Sequence, residues 1–240
     1  MPSCDPVQMA RTMDNLGLFL IRSNRLNDAE PLIRRSLDIL EQNRGLGDLQ
    51  RASVLNTMAQ LLCNQGRADQ AEQLEREALA IHERNLDPAH PIIADDLCTL
   101  SVTLRALGRS TEAEQLLRQA LVIDEKTSDS DHPNVGLRLN NLAMLLRDTN
   151  RLAEAEPLSR RAVEIIVKSA ITNGYAPRGS TLVFDVYTDV LKRMGRSQQE
   201  VRAQLNAFCL PSGINLGDAL AVIASQKEPT QNKSWWKFWR

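Results

Sequence analysis

A dipeptide made of glycine or asparagine followed by arginine recurs along this chain at intervals of 42 residues. A leucine stands four positions before each copy, and an alanine-glutamate pair follows shortly after it. A fixed period of this length is typical of small stacked units, whose function resides on surfaces rather than in a buried catalytic pocket. The copies are Asn24-Arg25, Gly66-Arg67, Gly108-Arg109 and Asn150-Arg151.

Each period contains two stretches with helical spacing of apolar residues. In the second period, Leu55, Met58 and Leu62 lie on one helical face, and Ala71 and Ala78 begin a second such face. The residue between the stretches is always Gly or Asn, which tolerate a positive φ, so we expect a left-handed residue closing the first helix. Columns of small residues let paired helices approach closely. The pattern predicts an all-α solenoid.

The repeat resembles a known family. The segments LNTMAQLL with GRADQAEQLEREALAI, and LNNLAMLL with NRLAEAEPLSRRAVEI, resemble tetratricopeptide repeats, in particular the 42-residue form found in kinesin light chain. The DPAHP and SDSDHP segments look like that family's linker between repeats, whereas the first linker, 43–51, lacks the His-Pro pair. The resemblance implies a right-handed α-solenoid of stacked two-helix repeats, strong over residues 13–180.

This resemblance divides the chain into repeats and flanking segments. A fifth Gly-Arg pair, Gly195-Arg196, is displaced by three residues and marks a degenerate terminal repeat. We expect a lead-in at 1–12, repeats at 13–54, 55–96, 97–138 and 139–180, a degenerate repeat at 181–209, a possible capping helix at 210–226 and a flexible tether with a tail at 227–240.

Composition favours a single helical domain in the cytoplasm. The formal charge of −1 lacks the basic excess of a general nucleic-acid surface, and no apolar stretch approaches the length of a membrane span. Four cysteines are scattered without a CxxC pair, so we expect reduced thiols and no metal site. No phosphate loop or nucleophile motif is present, so we expect no enzyme and no cofactor; an active site that the sequence does not display is the distant alternative.

Binding is therefore the expected activity, and the resemblance implies where it occurs. In that family the first helix of each repeat lines a concave groove that takes extended peptides, and asparagines of the LNNLA motif contact the peptide backbone. The matching residues are Asn56, Asn140 and Asn141, with Asn15 in the weaker first copy. The third copy departs from the pattern with Cys98 and Thr99, which interrupts an asparagine ladder.

Two arginines lie two helical turns beyond the asparagine column. Arg105 and Arg147 would favour an acidic peptide as the partner. A solvated helix surface is the alternative for each of these groove residues. The arginines that follow Gly or Asn recur in every unit, which favours a structural role in the turn. We likewise expect surface ion pairs at i,i+4 for Glu30/Arg34, Glu72/Arg76, Glu114/Arg118 and Glu156/Arg160.

The tail carries the second unusual feature of the sequence. All three tryptophans lie within the last six residues, and residues 227–240 carry a charge of +3 against −4 for the rest. The tail can dock on its own solenoid, anchor a protein partner or insert into a membrane interface, where Trp and basic residues are favoured. The residues concerned are Trp235, Trp236, Phe238 and Trp239.

The sequence thus predicts a non-catalytic scaffold that binds a protein or peptide segment in the groove of its repeats. The alternative is an adaptor peripheral to a membrane, attached through the C-terminal tail.

Overall fold

The computed structural model describes residues 5–43, 45, 47–127, 131–173 and 180–208. Within them the regular structure consists of ten α-helices that form consecutive pairs. They are α1 Pro6–Arg22, α2 Leu26–Gln42, α3 Asp48–Asn64, α4 Ala68–Asn85, α5 Pro91–Ala106, α6 Ser110–Thr127, α7 Pro133–Asp148, α8 Leu152–Asn173, α9 Ser180–Arg193 and α10 Gln198–Ala207. The chain divides into two compact units, Met1–Ala120 and Leu121–Arg240, and α6 contributes to both.

The turn inside each helix pair has the conformation that the Gly/Asn column predicted. All five turn residues have positive φ, from 57° at Asn24 to 83° at Gly195. The amide of the arginine that follows donates to the carbonyl five residues earlier, as Arg25 does to Leu20 at 2.9 Å. The turn residue itself donates three residues back, as Asn24 does to Ile21. These two bonds define a Schellman motif, which satisfies the last carbonyls of the first helix.

Small residues bring the helices of the first unit together. Ala29, Ala71 and Ala113 are completely buried where each second helix begins. Gly17 on α1 lies so close to Ile33 on α2 that an added Cβ would stand 2.6 Å from Ile33 Cγ1. Each second helix also packs against the next first helix, α2 on α3 and α4 on α5. The predicted solenoid of stacked helix pairs is confirmed.

The second unit continues the same pattern to a degenerate pair. Gly136 on α7 packs against Ile165 on α8, and α9 packs on both helices. Tyr187 on α9 is almost completely buried, and its hydroxyl donates to Gln204 Oε1 of α10 at 2.9 Å. A capping box of Ser197 and Glu200 starts α10, which is short because the repeat signature is lost there.

The linker histidines prove to be helix caps. His90 and His132 precede α5 and α7, and each Nδ1 accepts a hydrogen bond at 3.2 Å from the amide two residues on. A proline follows each histidine at the first helical position, where its missing N–H costs nothing. The His-Pro pair is therefore a start signal for the first helix of a repeat.

The first helix begins before residue 13, where the first repeat was predicted to start. Helix α1 begins at Pro6, within the range 1–12 that the sequence assigned to a lead-in. Asp5 caps this helix by accepting from the Val7 amide. The expected capping helix at 210–226 and the tail at 227–240 lie outside the described residues.

Candidate protein-interaction surfaces

The exposed face of the second helices is laced with ion pairs. All four predicted Glu-to-Arg pairs at i,i+4 are present, with N–O distances between 2.7 and 3.0 Å. In the first unit, Arg76 also reaches Glu112, and Arg109 reaches Glu72 at 2.5 Å, so that neighbouring repeats are cross-linked. The paired charges satisfy one another, so these residues offer little to an unpaired ionic ligand.

The turn arginines take part in the same network. Arg25, Arg109 and Arg151 each pair with an acid three residues later, in the first turn of the following helix. Of the other two, Arg67 hydrogen-bonds to Gln70 at the equivalent position, and Arg196 pairs with Glu200 four residues later at 3.7 Å. Their regular local partners support the structural role that the sequence indicated.

The exposed face of the first helices in unit 1 has a different character. We define the first-helix face of this unit by the exposed residues of α1, α3 and α5 that follow one side of each helix. This face is polar, and most of its side chains are small and uncharged. Its members are Arg11, Asn15, Arg22, Ser53, Gln60, Asn64, Asp95, Thr99, Val102 and Ala106.

Of the predicted groove asparagines in this unit, Asn15 projects from the face, whereas Asn56 lies beneath it. Asn56 is half-buried, and its Nδ2 donates to Asp96 Oδ1 of α5 at 2.6 Å. Its repeat equivalent Asp14 is buried and bonds to Ser53 and Thr57 of α3. One oxygen of each, Asn56 Oδ1 and Asp14 Oδ1, is buried without a hydrogen-bond partner in the protein. These side chains join neighbouring first helices, so they support the face from below.

A continuous polar seam runs where α3, α4 and α5 meet. Each helix contributes two residues seven positions apart, which places them two turns apart on one side. In one layer His82 Nδ1 lies 2.5 Å from Asp96 Oδ2, beside the Asn56 bond to the same carboxylate. In the other, Thr103 donates to Glu75 Oε1 at 2.9 Å. The seam residues are Asn56, Cys63, Glu75, His82, Asp96 and Thr103.

Burial dominates the acid–base behaviour of this seam. The Glu75 side chain is 2% exposed, and loss of solvent raises the pKa of its carboxyl to about 7. The hydrogen bond from Thr103 opposes that rise, whereas the charges of Glu72 and Asp96 add to it. Burial likewise raises the pKa of Asp14, against its bonds to Thr57 and Ser53. The seam thus holds a carboxyl whose charge changes near neutral pH.

Unit 2 places its predicted groove residues in two environments. Asn140 is 2% exposed, and its Oδ1 is buried without a hydrogen-bond partner, whereas Asn141 is half-buried. Arg147 pairs with Asp148 at 2.8 Å and with Asp189 of α9 at 3.4 Å. Two carboxylates therefore already balance the charge that was expected to attract an acidic ligand. In unit 1, the other arginine, Arg105, is half-buried.

Sequence reasoning by repeat columns missed the seam and also a buried ion pair in unit 2. Arg138 binds Asp124 with both side chains almost fully buried. Such contacts join non-equivalent positions, so comparing equivalent residues does not show them. A signal was nevertheless present: Glu75 occupies a column that holds Ile33 and Leu117 in neighbouring repeats. A polar residue in an apolar column predicts a buried partner nearby.

The described part of the chain holds neither a metal-binding cluster nor a membrane-spanning helix. It contains no group of three or more His, Cys, Asp or Glu side chains suited to a metal ion. None of its helices is long and apolar enough to cross a membrane. The tail residues Trp235, Trp236, Phe238 and Trp239 lie outside this part of the chain.

A protein-family model and several solved structures are similar to this chain. A family model described as "Tetratricopeptide repeat" matches residues 8–84, 50–126 and 97–166. No curated protein matches the chain.

Similar solved structures share the fold at low sequence identity. A Podosopora anserina putative kinesin light chain with nearly identical TPR-like repeats is 21% identical, covers 88% of this chain and 99% of its own, and has a TM-score of 0.68. BtubC (BKLC) from P. vanneervenii is 18% identical over 95% of this chain and 86% of its own, with a TM-score of 0.70. Aspartyl phosphate phosphatase F from Bacillus subtilis is 14% identical over 96% of this chain and 61% of its own, with a TM-score of 0.63.

Proposed function

The chain belongs to the tetratricopeptide repeat family, and from this premise we propose that it is a non-catalytic scaffold that binds an extended segment of a partner protein on the first-helix face of unit 1. The observation that carries the proposal is the contrast between the two faces of that unit. The second-helix face is occupied by ion pairs between its own residues, whereas the first-helix face exposes hydroxyl and amide groups suited to a peptide backbone.

The chemistry of the face favours hydrogen bonding over charge attraction. Asn15 and Thr99 occupy the same repeat column, both are exposed, and each offers a donor and an acceptor. Hydrogen bonds between Asn56 and Asp96 and between Cys63 and Thr103 hold α3 and α5 in fixed register beneath the face. A rigid platform lowers the entropy lost when a flexible segment binds. Asn141 and Arg147 are proposed to contribute equivalent contacts in unit 2.

Steric blocking tests the assignment. The variant Ser53→Trp with Thr99→Trp changes two exposed residues of the first-helix face, and Ala80→Trp serves as a control on the exposed side of α4. Affinity capture with the full chain, followed by mass spectrometry, should recover the same partner with the wild type and the control but not with the blocked variant. A partner retained equally by all three proteins would move the binding surface away from this face.

The tail supports a second candidate function, a peripheral adaptor at a membrane. Three tryptophans and a local charge of +3 match the composition of interfacial anchors. Co-sedimentation with anionic vesicles should pull down the full chain but not a version that ends at Gln226. Because no tryptophan occurs elsewhere in the chain, a blue shift of tryptophan emission with vesicles would report insertion directly. Unchanged emission and sedimentation would contradict this function.

A further inference from the structure

The outer side of α1 exposes a stripe of large apolar residues. Met9, Leu16 and Phe19 are 36%, 48% and 62% exposed. Their spacing of seven and three residues places them along one side of the helix, which borders the first-helix face at Phe19, four residues after Asn15. We call these three residues the α1 outer face.

The same positions are buried in the following repeats. Of the six residues 42 or 84 positions later on α3 and α5, Arg51 is half-buried and the other five have exposures of 4% or less. They are Met58 and Leu100 for Leu16, Leu61 and Thr103 for Phe19, and Ile93 for Met9. The α1 outer face is therefore the surface by which a first helix packs against a neighbouring helix in this fold.

The chain itself shows what covers such a surface. Helix α2 packs against α3, and its residues Ile39 and Leu40 share one buried cluster with Met58 and Leu61. Helix α2 carries aliphatic residues at i, i+4 and i+7, namely Ile33, Leu37 and Leu40, of which Ile33 also packs on Gly17 of α1. The interface between repeats thus continues onto the α1 outer face, and its natural occupant is a helix with such a stripe.

A second copy of the chain fits this surface less well than a separate helix. The aliphatic stripe of α2 is already buried within the chain, so a copy that pairs symmetrically would offer its own α1 outer face. Complete burial of three partly exposed side chains removes roughly 200–300 Å² per copy, whereas stable interfaces bury about 800 Å² on each partner. A single amphipathic helix, which needs less area, is the better match.

Charge beside the stripe specifies the partner further. Arg22 lies one turn beyond Phe19, is exposed, and forms no ion pair with the residues that the structure describes. We propose that the α1 outer face docks an amphipathic helix of a partner protein that carries an aliphatic stripe flanked by acidic residues.

A peptide with the sequence of α2 provides the probe. Leu26–Gln42 carries the aliphatic stripe and a net charge of −2, and it is made helical by a side-chain staple on its polar face. Fluorescence anisotropy should detect binding to the full chain. We expect Leu16→Ala with Phe19→Ala to weaken binding at least tenfold, and Arg22→Glu to weaken it several-fold with a reduced salt dependence. The control Val122→Ala changes an exposed apolar residue on α6 and should bind normally.

Folding and self-association are measured on the same variants. Because Leu16 and Phe19 are exposed, their substitution should leave the circular dichroism spectrum and melting temperature unchanged. A peptide carrying Leu37→Asn and Leu40→Asn should not bind. The proposal is overturned by equal binding to the double variant, by no binding of the stapled peptide at millimolar concentration, or by a wild-type dimer that Phe19→Asp converts to monomer, since the last result assigns the face to a second copy.

Discussion

At the scale of single residues, Glu75 has surroundings unlike those of its repeat equivalents. Ile33 and Leu117 fill the same place with hydrocarbon, whereas Glu75 brings a carboxyl group into contact with Thr103 and near Asp96. One of its oxygens, Oε2, is buried without a hydrogen-bond partner. The charged form of the Glu75 carboxyl is therefore disfavoured, so this residue destabilises the seam when the pH is high enough to ionise it.

The sign of the pH dependence follows from the raised pKa. The folded state holds the Glu75 proton up to about pH 7, whereas the unfolded chain releases it near 4.5. Between these values the folded state binds more protons, so this group makes the free energy of unfolding fall as pH rises from about 4.5 to above 7. Glu75→Gln should flatten this slope and raise stability at pH 8 by about 1–3 kcal/mol.

Urea unfolding across that pH range measures the effect. Glu83→Gln provides a matched control, because it makes the same change at an exposed position of the same helix and should alter stability little. His82, which pairs with Asp96 in the seam, is kept in both variants. A slope that persists in Glu75→Gln would show that other groups cause it.

Features of single residues could be predicted from the sequence where they recur in every repeat, but not where they occur only once. The positive φ at Asn24 and Asn150, and the ion pairs of the second helices, followed from columns that recur every 42 residues. The bond from Asn56 to Asp96 joins residues from different columns, so no periodic signal marks it. The predicted peptide contacts of Asn56 and Asn140 remain predictions, and burial of their side chains now makes them costly to substitute.

At the scale of elements, the turn between paired helices depends on backbone conformation more than on contacts. Gly108 has a φ of +76°, and nothing lies within 4 Å of the place where a Cβ would stand. Gly108→Ala should therefore lower the free energy of unfolding by about 1 kcal/mol through strain alone. Gly108→Asn should cost less, because Asn24 and Asn150 fill the same position in sister repeats. Thermal melts that rank alanine equal to asparagine would contradict this explanation.

The contact between paired helices, unlike the turn, depends on the space available to side chains and not on backbone conformation. Ala71 is completely buried at the start of α4. Ala71→Leu should lower the free energy of unfolding by about 1–3 kcal/mol, since three added carbons force the helices apart. Ala106→Leu makes the same change at an exposed position near the end of α5 and should be nearly neutral. Equal melting temperatures for the two variants would remove Ala71 from the packed contact.

Helix order and pairing were recoverable from the sequence because each element carries its own local signals. The Gly/Asn turn ends the first helix, and the buried alanine begins the second. The role of the His-Pro pair was not predicted, because histidine is a rare cap and proline at the first helical position was the only local sign. The α1 outer face needed structural burial as well as sequence, since Leu16 and Met58 look alike in a repeat alignment.

At the scale of the whole molecule, each junction between repeats carries a different buried pair. In each pair, one residue lies on the second helix of a repeat, and the other lies 14 positions later, on the first helix of the next repeat. Leu40 and Val54 form an apolar pair, whereas the later junctions are polar or mixed. These are His82 with Asp96, Asp124 with Arg138, and Ile166 with Ser180. Because a charge is costly without its partner, unlike pairs disfavour stacking of repeats in the wrong order.

The Asp124–Arg138 pair can test whether the buried charges specify the order of the repeats or only stabilise their junction. Both side chains are almost fully buried, so Asp124→Leu or Arg138→Val alone leaves an uncompensated charge and should cost about 3–5 kcal/mol. The double variant recreates the Leu40/Val54 pair, and we expect its stability to equal or exceed that of the wild type.

Urea unfolding of the wild type, the two single variants and the double variant gives the coupling energy directly. The exposed pair Arg25/Asp28 serves as the control, because its double replacement by alanine should change stability by less than about 1 kcal/mol. A double variant as unstable as either single one would mean that the pair itself stabilises the junction. A stable double variant that populates misassembled or swapped species would instead show that the buried charges specify which repeats pack together.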